Sequence, residues 1–200
     1  MKMLPLSFYL RPDVVALARA LLGKVLVTEF GDGRTAGRIV ETEAYNGRLD
    51  KASHAYKGPT KRTDVMFGEG GVAYVYLCYG IHHLFNIVTN AGGEPHAILI
   101  RGVEPLEGIP VMMERTGAAA AGPALGRGPG KVGRAFGFHA TQCGLSLLGP
   151  EICLYDDGFR VPDDELGISP RIGVDYAGAD AALPYRFYLK GHPSVSGKPR

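Results

Sequence analysis

The sequence predicts an α+β fold in which mainly antiparallel strands form one domain and helices lie at its margins. Three observations support this class. At 200 residues, with 46% hydrophobic and 21% charged residues, the chain has the composition of a globular protein with one well-buried core. The strand candidates are joined mainly by turns of hairpin length, as antiparallel strands are. No internal repeat and no linker divides the sequence, so we expect residues 1–200 to form a single domain.

The first predicted elements are a helix and a hairpin. Asp13 is placed to cap the helical stretch VVALARALL, which has an apolar face and stops at a glycine. Strands are predicted at 24–30 and 35–45, with GDGR as the turn between them. Residues 46–71 are polar, basic and glycine-bearing, so we expect a long loop with a short helix near Ala52. Long ordered loops in compact domains tend to be functional.

The rest of the chain supplies further strands and a glycine-rich stretch. Apolar runs predict strands at 72–78, 84–89 and 97–103, and Gly92-Gly93 predicts the turn between the last two. Residues 122–133 contain five glycines and two prolines and cannot be regular throughout. The remaining candidates are helices at 107–117 and 131–138 and strands at 146–155 and 186–189.

The most unusual local feature is IVETEAYNGRLDKASH, at residues 39–54. On a strand, the period of two puts Glu41, Glu43 and Tyr45 on one face. Carboxylates are depleted in strands, and burying one is unfavourable by several kcal/mol unless it is paired. Two carboxylates beside an aromatic ring, with His54 nearby, therefore indicate chemistry. An edge strand with solvated glutamates is the structural alternative.

The segment YVYLCYGIHHLFNIV, which begins at Tyr74, is a second unusual feature. Tyr74 and Tyr76 share a strand face, and Tyr79 precedes a glycine where the strand should turn. An exposed aromatic there could stack on a nucleobase, for about 1–3 kcal/mol, or open a duplex as a wedge. Core or hairpin tyrosines are the commoner alternative. Asn86 lies inside an apolar run and needs a hydrogen-bonding partner, which could be structural or functional.

Basic residues gather in GRGPGKVGR, residues 126–134, where Arg127, Lys131 and Arg134 surround several glycines. The stretch lacks the Walker pattern because a valine follows the lysine, which disfavours a nucleoside triphosphate site. Contact with nucleic-acid phosphate and an ordinary loop both remain open. Arg101 ends the apolar strand AILIR, where it could orient a carboxylate or a water, or extend into solvent.

Cysteine, histidine and hydropathy patterns exclude several classes. The three cysteines show no CxxC spacing, which predicts reduced thiols in a cytosolic protein. The six histidines form no HExxH-like pattern, so we expect no protein-bound metal. The first residues do not read as a signal peptide and no stretch is apolar enough to span a membrane. We therefore expect a cytoplasmic protein without membrane association.

Together these segments resemble the alkyladenine (3-methyladenine) DNA glycosylase family. The resemblance implies a single α+β domain with a curved antiparallel sheet and a protruding β-hairpin that carries a wedge residue. The match at Arg101 depends on accepting a short insertion after Asn86. The matching stretches follow the family's order from about residue 18 to residue 191: ARALLGKVLV, RIVETEAYNG, SHAYKGPTKRT, GGVAYVYLCYGIHHLFNIV, ILIRGVEPLEG, GRGPGKVGRAFG and RIGVDYAGADAALPYRFYLKG.

The resemblance implies a role for each unusual residue. Glu43 matches the general base that activates the attacking water, and Arg101 matches the arginine that helps to hold that water. Tyr79 matches the residue that fills the gap left in the duplex. Asn86 matches the pocket-wall residue that selects against the exocyclic amine of guanine. Three further residues match the pocket that encloses the extruded base, by stacking and, for the histidine, also by hydrogen bonding: Tyr45, His54 and Tyr76.

The implied activity is DNA repair. The chain would flip alkylated or deaminated purines out of duplex DNA and hydrolyse the N-glycosidic bond, leaving an abasic site. It would need no metal, cofactor or covalent nucleophile, because an alkylated purine is cationic and its glycosidic bond is already weakened. No lysine falls at a catalytic position, which favours a monofunctional enzyme. We expect a bacterial-type, nucleoid-associated monomer whose partner is duplex DNA with a damaged purine, held at phosphates by Arg127, Lys131 and Arg134.

Two other function classes compete with this interpretation. A non-catalytic nucleic-acid-binding domain would keep the wedge and the basic loop without turnover, and the presence of both Glu43 and Arg101 argues against it. A glycoside hydrolase could use Glu41 and Glu43. Carboxylates two residues apart on a strand are about 6.5–7 Å apart at Cα, and their ends could reach either glycosidase separation.

Overall fold

One antiparallel sheet organises the chain, for which a computed structural model describes residues 1–197. The main path of the sheet has the order β1-β7-β2-β3-β6-β5-β4, and β9 pairs with both β3 and β8. The strands are β1 Lys2–Met3, β2 Val25–Phe30, β3 Gly33–Tyr45, β4 Val72–Cys78, β5 His82–Thr89, β6 His96–Glu107, β7 Ile152–Asp156, β8 Leu166–Ser169 and β9 Arg186–Leu189. The α-helices are α1 Leu6–Tyr9, α2 Val14–Ala20, α3 Ile109–Thr116 and α4 Pro129–Ala135.

The long strand β3 is the centre of the sheet. Its first half pairs with β2, its second half pairs with β9, and β6 runs along its other edge. The pairing with β6 shifts register on both sides of Glu41. Such bulges bend a strand and increase its twist, which curls the sheet into a half-barrel. The fold is a single compact α+β domain with a curved antiparallel sheet, as the sequence predicts.

Helices cover one side of the sheet and share one apolar core with it. Leu17 of α2, Met112 of α3 and Val132 of α4 are fully buried in the same cluster as Ile39 and Ile87 of the sheet. The polar groups of β3 on this side are satisfied within the protein, since Thr42 Oγ1 donates to the carbonyl of Ala18 at 2.8 Å.

Several local predictions are confirmed. Asp13 caps α2 by accepting from the amide of Ala16 at 2.9 Å. The β2–β3 hairpin forms with Phe30 opposite Gly33. The strand predicted at 72–78 has the observed bounds, and the next strand begins at His82 and so extends the hairpin.

Other predicted elements exist with different bounds. The short helix expected near Ala52 is a 3₁₀ helix at Gly47–Leu49. Residues around Ala52 form successive turns, where the carboxylate of Asp50 accepts from the amide of Ala52. Only residues 152–155 of the predicted stretch 146–155 belong to a strand, since residues 146–150 form a turn and two isolated bridges, at Ser146 and Leu148. The helix predicted at 131–138 occupies 129–135, with Pro129 in its first turn. The short elements β1, β8 and α1 have no periodic signal in the sequence.

Candidate active site

A cavity of about 390 Å³ opens where β3, β4, β5 and β6 meet the loops at 46–71 and 171–176. This volume lies in the usual range of small-molecule pockets. Six of the residues selected from the sequence line it: Tyr45, His54, Tyr76, Tyr79, Asn86 and Arg101. The fold therefore gathers residues from four strands, a loop and a hairpin turn into one concave site.

Glu43 is fully buried behind the wall of this cavity. Its Oε2 accepts from the hydroxyl of Tyr45 at 2.9 Å and from Nη1 of Arg101 at 3.3 Å, and its Oε1 accepts from the amide of Ile172 at 2.8 Å. All three donors belong to residues that line the cavity. An ionised carboxylate has about four lone-pair sites, so these three bonds leave Glu43 with one acceptor direction.

Glu41 occupies a different environment on the same face of β3. Its Oε1 accepts from Nε of Arg101 at 3.0 Å, from Nε of Arg186 at 2.7 Å and from the hydroxyl of Ser196 at 3.0 Å. Its Oε2 accepts from the amide of Ser196 at 2.7 Å. These bonds tie Glu41 to Arg101, Arg186 and Ser196, and the last two do not line the cavity, so Glu41 is a structural anchor between two arginines.

The cavity contains an aromatic cluster. The His54 and Tyr76 ring centroids are 4.7 Å apart, the Tyr74 and Tyr76 centroids are 5.3 Å apart, and Nδ1 of His54 is 2.9 Å from the hydroxyl of Tyr74. Burial, and then the positive charge of Arg62, lower the pKa of His54 to about 4, so its imidazole is neutral at neutral pH. Burial, followed by the charge of Glu43, raises the pKa of Tyr45 well above its usual value and keeps the hydroxyl a donor.

Tyr79 lies at the tip of the β4–β5 hairpin. Cys78 pairs with His82, and Tyr79 in the turn between them is 91% exposed. Its φ of 50° is in the left-handed region, which is uncommon for a residue with a side chain. Ile81, also in this turn, is 72% exposed. The hairpin thus projects an apolar tip at the mouth of the cavity.

Asn86 finds its hydrogen-bonding partners inside the sheet. Its Nδ2 donates to the carbonyls of Tyr74 at 3.1 Å and Leu84 at 3.4 Å. Asn86 and Tyr74 are also register partners in the β4–β5 pair. The amide therefore has a structural bond and at the same time lines the cavity.

The glycine-rich stretch packs against the same hairpin. Added Cβ atoms at Gly130 and Gly133 would lie 2.8 Å from the ring of His82 and 1.8 Å from the carbonyl of His83, so only glycine permits this contact. Pro129 borders the cavity. The three cations of this stretch are exposed: Arg127, Lys131 and Arg134. Nε of Arg127 donates to the carbonyl of Pro193 at 2.6 Å.

Several residues of the site had no signal in the sequence. Arg62 and Tyr176 line the cavity, as do Ile172, Gly173 and Val174. The hydroxyl of Tyr176 donates to the carbonyl of Ala52 at 3.1 Å while its side chain stays 69% exposed. These residues come from irregular segments without periodicity. The only available signals were the stretches SHAYKGPTKRT and RIGVDYAG within the family resemblance.

The described residues contain neither a cluster of metal-ligating side chains nor a membrane-spanning helix. Among residues 1–197, no group of three or more His, Cys, Asp or Glu side chains is arranged to hold a metal ion. Within the same described part of the chain, the helices are too short and too polar to cross a membrane.

Comparison with known proteins agrees with this geometry. A family model described as "Methylpurine-DNA glycosylase (MPG)" matches residues 7–193. A Myxococcus xanthus protein named "Putative 3-methyladenine DNA glycosylase" is 48% identical over 199 residues, which cover 100% of this chain and 96% of that protein. Proteins of the same name from Methanocella arvoryzae and Carboxydothermus hydrogenoformans are 46% and 43% identical. Each comparison covers 98% of this chain. It covers 96% of the Methanocella protein and 100% of the Carboxydothermus protein.

Proposed function

The chain belongs to the methylpurine-DNA glycosylase family, and on this premise we propose that it removes alkylated or deaminated purines from duplex DNA. The damaged nucleotide is flipped out of the duplex and its base enters the cavity. Hydrolysis of the N-glycosidic bond then releases the base and leaves an abasic site. The single observation that supports this most directly is the buried Glu43 carboxylate, held by three groups of the cavity wall.

Recognition of the base rests on aromatic faces. Tyr45 and Tyr76 would stack on the extruded base, and the neutral imidazole of His54 would stack and hydrogen-bond to it. Aromatic faces favour a positively charged ring, as in a methylated purine, and a neutral imidazole adds no repulsion. Asn86, on the pocket wall, would select against the exocyclic amine of guanine.

Bond cleavage uses a positioned water. Glu43 takes a proton from the water through its remaining acceptor direction, and Arg101 holds the water with N–H groups not used by its protein partners. Three of the five N–H groups of Arg101 are committed, to Glu41, Glu43 and Ser196. The described cavity lining contains no lysine, which supports direct hydrolysis without an amine nucleophile and so a monofunctional enzyme.

Capture of the flipped state uses the hairpin and the basic stretch. Tyr79 is exposed at the cavity mouth and would fill the gap that the extruded base leaves. The exposed cations Arg127, Lys131 and Arg134 would contact phosphates of the same duplex. We propose that the protein acts as a monomer in the cytoplasm, at the nucleoid.

The test is a panel of duplex oligonucleotides, each with one 7-methylguanine, hypoxanthine, ethenoadenine or 3-methyladenine. We expect free base and an abasic site from at least one lesion duplex, with a chelator present, and no release from the undamaged duplex. Lesion binding without release would instead identify a non-catalytic damage-binding domain. Cleavage of oligosaccharides in the absence of DNA would identify a glycoside hydrolase.

A further inference from the structure

Arg171 and Asp50 form an ion pair that is sealed from solvent beside the candidate active site. Nη1 of Arg171 donates to Oδ2 of Asp50, and Nη2 donates to Oδ1 at 2.9 Å. The two side chains are 0% and 1% exposed. A buried ion pair adds little net stability relative to well-packed apolar residues, because both charges lose their hydration. Stability alone is therefore a weak explanation for this pair.

The pair ties three segments of the chain together. Arg171 donates to the carbonyl of Ala44, near the end of β3, at 2.9 Å and to the carbonyl of Asp180 at 3.1 Å. Asp50 accepts from the amide of Ala52 at 2.9 Å. The pair thus fixes the end of β3, the loop that follows it and the irregular segment at 171–180 relative to one another.

Each of these segments carries a group of the candidate site. The guanidinium carbon of Arg171 lies 4.8 Å from the ring centroid of Tyr45, whose hydroxyl donates to Glu43. The amide of the next residue, Ile172, donates to the other oxygen of Glu43 at 2.8 Å. The loop on the aspartate's side of the pair supplies His54 to the cavity. Two of the three donors to Glu43 therefore depend on groups that the pair holds.

We propose that Arg171 and Asp50 are positioning residues for base release. The pair sets the ring plane of Tyr45 and the amide of Ile172, and through them the orientation of the Glu43 carboxylate. The inference rests on the proposed function, in which Glu43 is the general base. A misplacement of about 1 Å at a reacting group can lower a rate by about 100-fold. Lysine cannot replace Arg171 here, because it lacks the planar fork that binds a carboxylate bidentately and stacks on a ring.

The chain offers a matched control away from the cavity. Arg38 binds Asp157 in the same bidentate manner, at 3.2 and 2.8 Å, and also donates to the carbonyl of Gly23 at 2.7 Å. Its guanidinium carbon lies 4.4 Å from the ring centroid of Phe159. Arg38→Lys thus makes the same chemical change at a bidentate pair beside an aromatic ring. This pair is less buried, with side chains 16% and 24% exposed, and makes no contact with the candidate site.

The experiment compares Arg171→Lys, Asp50→Asn, the double variant and Arg38→Lys. Single-turnover release of hypoxanthine from duplex DNA should fall about 10- to 100-fold in each of the first two. The double variant should lose no more than the larger single loss, because the residues act as a unit. Arg38→Lys should keep the wild-type rate. Affinity for a duplex with a tetrahydrofuran abasic analogue should stay within about twofold throughout, because that duplex places no base in the cavity.

A second readout does not depend on activity. With 3-fluorotyrosine incorporated, the Tyr45 fluorine resonance, assigned with Tyr45→Phe, should move in Arg171→Lys and Asp50→Asn but not in Arg38→Lys. Equal rate losses in Arg171→Lys and Arg38→Lys, additive losses in the double variant, or an unmoved Tyr45 resonance would overturn the inference. If Arg171→Lys does not fold, the rate and the Tyr45 resonance of Asp50→Asn test the inference instead. If the wild-type protein releases no base from any lesion, the proposed function is wrong. The fluorine spectra still test, independently of activity, whether the ion pair positions Tyr45.

Discussion

Exchange of each buried glutamate of β3 for glutamine should separate a chemical role from a structural one. Glu43→Gln keeps the shape of the side chain but cannot take a proton from water, so base release should fall about 10²- to 10⁴-fold. The amide also replaces one acceptor oxygen with an NH₂ donor. This donor faces the N–H of Ile172 in one orientation of the amide, and the donors of Tyr45 and Arg101 in the other. One unmade hydrogen bond of this kind destabilises a protein by about 1–3 kcal/mol.

Glu41→Gln should show the opposite pattern. Its carboxylate balances Arg101 and Arg186, which are 8% and 3% exposed in their side chains. Removing one partner of a buried ion pair typically destabilises by about 3–5 kcal/mol. For a chain of this size that corresponds to a fall of about 6–20 °C in Tm. In the protein that stays folded at low temperature, base release should be affected less than by Glu43→Gln.

Thermal unfolding and single-turnover base release at low temperature measure the two effects separately. Glu107→Gln is the control, because that carboxylate is 58% exposed and pairs with Arg34 at the surface. Glu107→Gln should change neither the Tm nor the single-turnover rate of base release. The reasoning is refuted if Glu41→Gln lowers the rate more than Glu43→Gln does while the folded fraction of both is equal.

Three further predictions concern the hairpin, the basic stretch and the pocket histidine. Tyr79→Ala should weaken binding to a lesion duplex roughly 5- to 150-fold, for a stacking loss of about 1–3 kcal/mol. Binding to an already unstacked site should weaken less. Equal losses for the two duplexes, measured by fluorescence anisotropy, would show that Tyr79 has a packing role instead. Lys131→Ala should lower affinity for damaged and undamaged duplex alike and reduce the slope of log affinity against log salt by about 0.9. The control Lys2→Ala, at the opposite edge of the sheet, should leave the slope unchanged. If neither variant changes the slope, Lys131 does not contact DNA. Because the pKa of His54 is lowered from 6.5 to about 4, the unfolded chain binds a proton below pH 6.5 that the folded chain does not, so stability should fall by about 1–3 kcal/mol between pH 6.5 and pH 4. Urea unfolding of His54→Gln should show a smaller loss over this range, and an identical loss would contradict the lowered pKa.

Much of the fold and part of the site could be predicted from local sequence patterns. The period of two along β3 correctly placed Glu43 and Tyr45 on one face, because alternation is a property of the strand itself. Tyr79 before a glycine correctly indicated an exposed hairpin tip. The capping aspartate and the glycine-rich stretch were also identified from short-range rules. These features depend on neighbours within a few residues.

The partners of each side chain were decided only by the tertiary structure. Glu41 and Glu43 are indistinguishable by spacing, and their difference comes from Ser196 and Arg186 on one side and Ile172 on the other. Those donors lie more than 120 residues away in the chain, so no local pattern pairs them with either glutamate. Within the strands, the sequence determined which side chains share a face, because side-chain direction follows local backbone geometry. The structure decided which carboxylate is held entirely by residues of the cavity wall, because hydrogen-bond partners so far apart in the chain are brought together only by folding.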